Sequence, residues 1–89
     1  MKTTFMPRAL DELAEWVALD RKKSLRIIRL IEDARRHPFT GLGEPEALKG
    51  NFSGWWSRRI DQEHRLIYRV TGKGVDQVLE IAQCRGHYT

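Results

Sequence analysis

From Pro7 onward, apolar residues recur at helical spacing. Leu10, Leu13, Ala14 and Val17 stand at i, i+3, i+4 and i+7, which predicts one buried helix face running to about Leu19. Pro7 suits the first turn of that helix, where a missing N–H costs nothing. Asp20 can cap a second helix, whose apolar positions Leu25, Ile27, Ile28, Leu30, Ile31 and Ala34 predict a wide buried face. Pro38 disfavours helical geometry at His37, so this helix ends near Arg36. With hardly a residue between them, the two helices form an αα-hairpin. Ahead of them, KTTFM at residues 2–6 is short and β-prone.

The stretch FTGLGEPEALKGNFSG that follows, residues 39–54, is rich in glycine and proline and predicts mostly loop. The period then drops to two. In WWSRRI, Trp56, Arg58 and Ile60 face one way while Trp55, Ser57 and Arg59 face the other. The paired tryptophans thus point to opposite faces, and at most one belongs to the core. In RLIYRV, Leu66, Tyr68 and Val70 make an apolar face, and Arg65, Ile67 and Arg69 a mixed one. DQEH joins these runs as a hairpin, TGKG makes a second tight turn, and VDQVLEIAQC is the last strand. The order predicts a single α+β domain over residues 1–89. An N-terminal strand leads into a two-helix hairpin, packed on one face of a twisted, mostly antiparallel sheet of three to four further strands. The other sheet face is left uncovered, and it carries Arg59 and Arg65.

Composition narrows the function classes. A chain of 89 residues builds one modest core. Its 40% hydrophobic and 31% charged residues are ordinary for a globular protein. No apolar run approaches the roughly 20 residues that span a bilayer, and the N-terminus has no signal-peptide h-region, so neither membrane nor secretion is expected. Cys84 is the single cysteine and cannot form an internal disulfide, in keeping with a reducing cytoplasm. Three scattered histidines and one cysteine have no metal-ligand spacing, and no cofactor motif appears. The formal charge of +4 favours an anionic partner. The excess lies mid-chain: Asp20 to His37 holds seven basic and three acidic side chains.

One polar set could do chemistry: Glu46, Lys49, Arg59, Arg65, His87 and Tyr88. Metal-free RNA cleavage needs a base for the 2′-hydroxyl, an acid for the leaving 5′-oxygen, and cations for the phosphorane's charge. Glu46 could be the base, His87 the acid, and Arg65 with Lys49 or Arg59 the clamp. Arginine's planar fork can bind two phosphate oxygens at once. Tyr88, Trp55 or Phe52 could stack on splayed bases. Each residue also has a plainer reading: a glutamate solvated in a loop, arginines on a strand surface, a packing tyrosine beside a solvent histidine. His64 and His37 read as structural, and Trp16 as core. From residue types and spacing alone, this is a basic α+β module with possible RNA contacts.

The wording of the sequence says more. EPEALKGNFSGWWSRRIDQEHRLIYRV, followed after a turn and strand by CRGHY, resembles the YoeB/Txe-type toxins of bacterial toxin–antitoxin modules, in the RelE superfamily. The family pattern LSGxWSRRIxxEHRLVY is met with Phe52 for the leucine and Ile67 for the valine, and DARRHPFTGLGEPE resembles the family's helix end and loop. The resemblance covers nearly the whole chain. It implies a RelE-like fold and a ribosome-dependent endoribonuclease that cuts messenger RNA in the A site. It places the general base on Glu46, the phosphate-binding arginine on Arg65, the general acid on His87 and a substrate-positioning tyrosine on Tyr88. Lys49 and Arg59 match further basic residues of the site, and no metal or other cofactor is implied. The partners implied are a cognate antitoxin, the ribosome and messenger RNA, with operator DNA reached only through the antitoxin complex. Lys22, Lys23, Arg26, Arg29, Arg35 and Arg36 would meet ribosomal RNA. A homodimer is a family expectation without a signal in the chain. The alternative is a RelE-fold protein that acts only by binding, as gyrase poisons do, or as a corepressor with its antitoxin. Two departures concern the tail. Gly86 stands where relatives tend to carry a bulky residue, which raises the cost of ordering the tail, and Thr89 extends past the tyrosine.

Overall fold

The computed structural model describes residues 1–87. Strand β1 (Lys2–Phe5) opens the chain, and α1 (Pro7–Leu19) begins on its proline. A single residue, Asp20, separates α1 from α2 (Arg21–Arg36). Asp20 serves both helices: its N–H returns to the Trp16 carbonyl at 2.7 Å, and its Oδ1 accepts the Lys23 N–H at 3.2 Å. His37 ends α2 with Pro38 behind it, as X-Pro sterics require. Four strands follow: β2 (Glu46–Ala47), β3 (Trp56–Arg59), β4 (Arg65–Thr71) and β5 (Val78–Gln83). The sheet order is β1-β5-β4-β3-β2, with β1 parallel to β5 and the other pairs antiparallel.

Both helices pack on one sheet face. Ile27, Leu30 and Ala34 of α2 and Ala9 and Trp16 of α1 form one core with Leu66, Tyr68, Leu79 and Ile81. Trp56, not Trp55, packs against it. The phase of α1 differs from the expected one. Leu10 is 56% and Val17 58% exposed, Ala14 is exposed too, and the buried positions are Ala9, Glu12 and Trp16, with Leu13 partly buried. Trp16 has the most apolar area to bury, and its indole N–H finds the Cys84 carbonyl at 2.8 Å, so the helix turns toward that partner. The buried stripe of α2 is likewise narrower than expected, with Leu25 47% and Ile28 44% exposed.

Arg58 is the largest fully buried side chain, in the middle of β3. Its Nε donates to the Tyr68 hydroxyl at 2.9 Å, and Nη1 donates to Asp33 Oδ2 at 2.6 Å and the Leu42 carbonyl at 3.0 Å. Nη2 donates to the carbonyls of His37 at 2.5 Å and Thr40 at 2.9 Å. One guanidinium therefore closes the loop after α2. Gly41 completes the closure: its φ is +111°, and a Cβ there would lie 2.2 Å from Asp33 Oδ2. The Arg58 guanidinium beside Asp33 holds that carboxyl below the usual carboxylate range, helped by the Leu42 N–H. The loop is thereby fixed where it hands the chain on to β2.

Candidate active site

The sheet face turned away from the helices is organised by strand register. It is covered more than expected, with Ser57, Ile67 and Gln83 buried and Glu46 and Arg59 exposed. Glu46 lies opposite Ser57, Ser57 opposite Ile67, and Ile67 opposite Gln83, a row that crosses four strands. Glu46, expected in a loop, is exposed on the short edge strand β2. One step along β3, Arg59 lies opposite Arg65. Like charges directly across a ladder repel, and each arginine has found acceptors. Arg59 reaches Glu44 Oε2 at 3.4 Å, while Arg65 Nη1 donates to the carbonyls of Asp61 at 2.7 Å and His64 at 3.1 Å. Lys49 is exposed, just ahead of the 3₁₀ turn Gly50–Phe52. Trp55 is half-buried under Arg69, whose guanidinium carbon sits 4.4 Å from the ring centroid. A cavity of about 300 Å³ opens on this face between Phe52, Trp55, Ile67 and Gln83, with Met6 and Arg8 at its edge. A larger one, about 370 Å³, lies between β1 and the helices and is lined by none of the expected site residues.

Gln83 reaches this face through an irregularity. Leu79 and Ile81 face the core, so strict alternation would send Gln83 inward as well. The β4–β5 pairing instead skips a residue, with Tyr68 opposite Ile81 and Ile67 opposite Gln83. Such a bulge re-aims the following side chain. Gln83 Nε2 then donates to the His87 carbonyl at 2.7 Å.

Beyond β5 the tail is tied down residue by residue. The Cys84 N–H donates to Glu12 Oε1 at 2.8 Å, and Arg85 pairs with Glu15 while lying 5.5 Å from the Trp16 ring. The Gly86 N–H donates to His64 Nδ1 at 2.8 Å, and the Gly86 carbonyl accepts the Arg65 N–H at 3.0 Å. Gly86 has φ +73°, a left-handed conformation that a side chain would resist. The glycine thus makes the turn that admits both bonds. At about 1 kcal/mol net each, these bonds offset the roughly 1–2 kcal/mol per residue needed to fix a backbone. His87 is exposed at the end of this anchored segment. Tyr88, expected to position substrate, and Thr89 lie outside the described residues.

Asp61 braces the hairpin beneath the site. Its Oδ1 accepts the N–H groups of Glu63 at 2.8 Å and His64 at 2.6 Å, and its Oδ2 meets Lys23 Nζ at 3.0 Å. Burial opposes its ionisation, but these donors prevail and hold the carboxyl at about 2. Burial, reinforced by Glu12 and Glu15, pushes the Cys84 thiol up to about 12, so it is no nucleophile. Of the basic residues on α2, Lys23 is engaged with Asp61, Arg26 with the Arg59 carbonyl at 3.3 Å, and Arg35 with Glu32. Half of the expected RNA-facing set thus also has structural partners. Sequence reasoning did not single out Glu12, Asp61 or Gln83. The one available signal was Gln83, a polar residue on the apolar period of the last strand.

The scaffold is the fold of the RelE-like toxins. More narrowly, the chain belongs to the YoeB-like toxins of bacterial type II toxin–antitoxin systems, a family matched over residues 5–88. Toxin YoeB of Streptomyces coelicolor is 49% identical over 88 residues, 99% of this chain and 100% of that protein. The YoeB/ParE toxin from Agrobacterium tumefaciens superposes with a TM-score of 0.96 at 48% identity, covering 99% of this chain and 100% of that one. A chain of the heterotetrameric YoeB–YefM toxin–antitoxin complex from Staphylococcus aureus superposes with a TM-score of 0.86 at 37% identity, over 99% and 98% of the two chains.

Proposed function

We propose that this toxin is a ribosome-dependent endoribonuclease that cuts messenger RNA in the A site and so stops translation. The observation that carries the reading is the sheet row. Glu46 sits at one end, Gln83 with the tethered His87 backbone at the other, and the Arg59–Arg65 pair lies one step away. In the proposed reaction Glu46 takes the proton of a 2′-hydroxyl, and the 2′-oxygen attacks the adjacent phosphorus. Arg65, with Arg59 and Lys49, stabilises the charge that builds on the equatorial oxygens. The bond to the 5′-oxygen breaks as His87 protonates it, giving a 2′,3′-cyclic phosphate and a 5′-hydroxyl. Trp55 and Tyr88 hold bases around the scissile step. No metal or other cofactor takes part. Lys22, Arg29 and Arg36 contribute phosphate contacts on the ribosome, which makes binding salt-sensitive. The YefM-bound staphylococcal relative supports a cognate antitoxin as partner, and the toxin acts in the cytoplasm, where ribosomes are.

Induction in bacteria tests the reading. Growth and translation should arrest, with new messenger-RNA 5′ ends inside A-site codons. Arg65→Ala and His87→Ala should abolish those ends while leaving antitoxin binding intact. Arrest with unchanged messenger-RNA ends would instead favour a toxin that acts only by binding.

A further inference from the structure

His64 belongs to the turn between β3 and β4 and immediately precedes Arg65. Its ring is half-buried and meets Trp16 edge-on, with 4.9 Å between centroids. A backbone N–H can only donate, so the 2.8 Å contact from Gly86 makes Nδ1 an unprotonated acceptor. The hydrogen of the neutral ring then sits on Nε2, which faces Glu63 Oε2 at 3.6 Å. Two consecutive residues therefore grip Gly86: His64 through its side chain at the N–H, and Arg65 through its main chain at the carbonyl. The grip is itself braced, because Asp61 accepts the His64 N–H and its carbonyl accepts from Arg65 Nη1.

We propose that His64 is a positioning residue for cleavage. By accepting the Gly86 N–H, it holds the backbone of His87 in register with Arg65, so that acid and phosphate-binding arginine move as one frame. This rests on the ribonuclease reading, in which His87 is the acid. His64 itself touches neither phosphate nor leaving group.

Two substitutions separate this role from packing. His64→Asn keeps an acceptor near the Nδ1 position but loses the ring. His64→Phe keeps the ring against Trp16 and loses the acceptor. Each is compared with wild type and His87→Gln for single-turnover cleavage and affinity on programmed ribosomes, with folding checked by antitoxin binding. A misplacement of about 1 Å costs up to roughly 100-fold. His64→Phe should therefore lose about 10- to 100-fold in rate with little change in half-saturation, while His64→Asn stays within about threefold of wild type. Independently, ¹⁵N spectra of the wild type should show scalar coupling across the Gly86 N–H···Nδ1 bond. Wild-type cleavage by His64→Phe, an Asn variant no better than Phe, or absence of that coupling would overturn the proposal. A wild type that does not cut, or a His87→Gln variant that cuts normally, would instead remove the ribonuclease reading and the positioning role with it.

Discussion

Replacing Arg58 with methionine removes a charge from a fully buried site and keeps only an unbranched stem that ends about where Nε stands. It leaves the Asp33 carboxylate, the Tyr68 hydroxyl and the carbonyls of His37, Thr40 and Leu42 without their common donor. Removing one partner of a buried ion pair costs about 3–5 kcal/mol. The Asp33 side chain keeps 21% of its exposure and can be partly rehydrated, which favours the lower end. The loop carbonyls can turn toward water only if the chain between His37 and Leu42 lets go of β3, so the losses are not simply additive. We expect about 3–4 kcal/mol, which for a domain of this size lowers Tm by roughly 12–30 °C. Urea unfolding followed by circular dichroism measures the stability directly. Amide exchange should show residues 37–44 opening first, because Arg58 is what closes them. Arg58→Lys should recover only part of the loss, since a single ammonium cannot reproduce a planar fork that serves five acceptors. A methionine variant within about 1 kcal/mol of wild type, or one whose loop exchanges no faster, would refute this account of the loop.

Further outcomes follow from the same contacts. Asp61 is held at about 2 against an ordinary 3.8, so its contribution is complete above pH 4 and is lost as pH falls from about 4 to 2. Allowing for solvent screening of a partly exposed group, this is about 1 kcal/mol, and Asp61→Asn should flatten the acid limb of a stability–pH curve over that window. Gly41→Ala should destabilise by about 2 kcal/mol or more, since the new Cβ would meet Asp33 Oδ2 at 2.2 Å in a left-handed backbone. Gly86→Ala meets open space and should cost only the backbone penalty, about 1 kcal/mol, read from thermal melts of the two variants side by side.

Much of this architecture is legible in the residue pattern, because periodicity reports which face is apolar. Both helix ends follow from Pro7, Asp20 and Pro38, and the alternation in WWSRRI and RLIYRV puts Arg59 and Arg65 on the open face. What periodicity does not report is the partner that decides between neighbouring phases. The apolar spacing of α1 fits Leu10 and Val17, yet the helix turns to bury Glu12 and Trp16, whose polar atoms are matched by the main chain of Cys84, some seventy residues away. Alternation likewise places Arg58 inward without saying that a loop of carbonyls waits there. Gln83 is misplaced by alternation, because a bulge is a register event between two strands and not a property of one. For the site, Glu46, Arg65 and His87 could be gathered as a chemical set, but their ranking came from the long family pattern. The opposite lesson comes from Gly86. Its backbone freedom suggested a loose tail, whereas that same freedom allows the left-handed turn that His64 and Arg65 hold.

The central claim is acid–base cleavage of messenger RNA by the open sheet face, and the chemical identity of the cut ends tests it most directly. Purified toxin would be added to ribosomes programmed with a defined message, with phenanthroline present to remove transition metals while leaving the magnesium that ribosomes need. The account predicts a single break inside the A-site codon, with a 2′,3′-cyclic phosphate on the upstream fragment and a 5′-hydroxyl on the downstream one. Ends bearing a 5′-phosphate, or a message left whole by folded toxin bound to its ribosome, would contradict it.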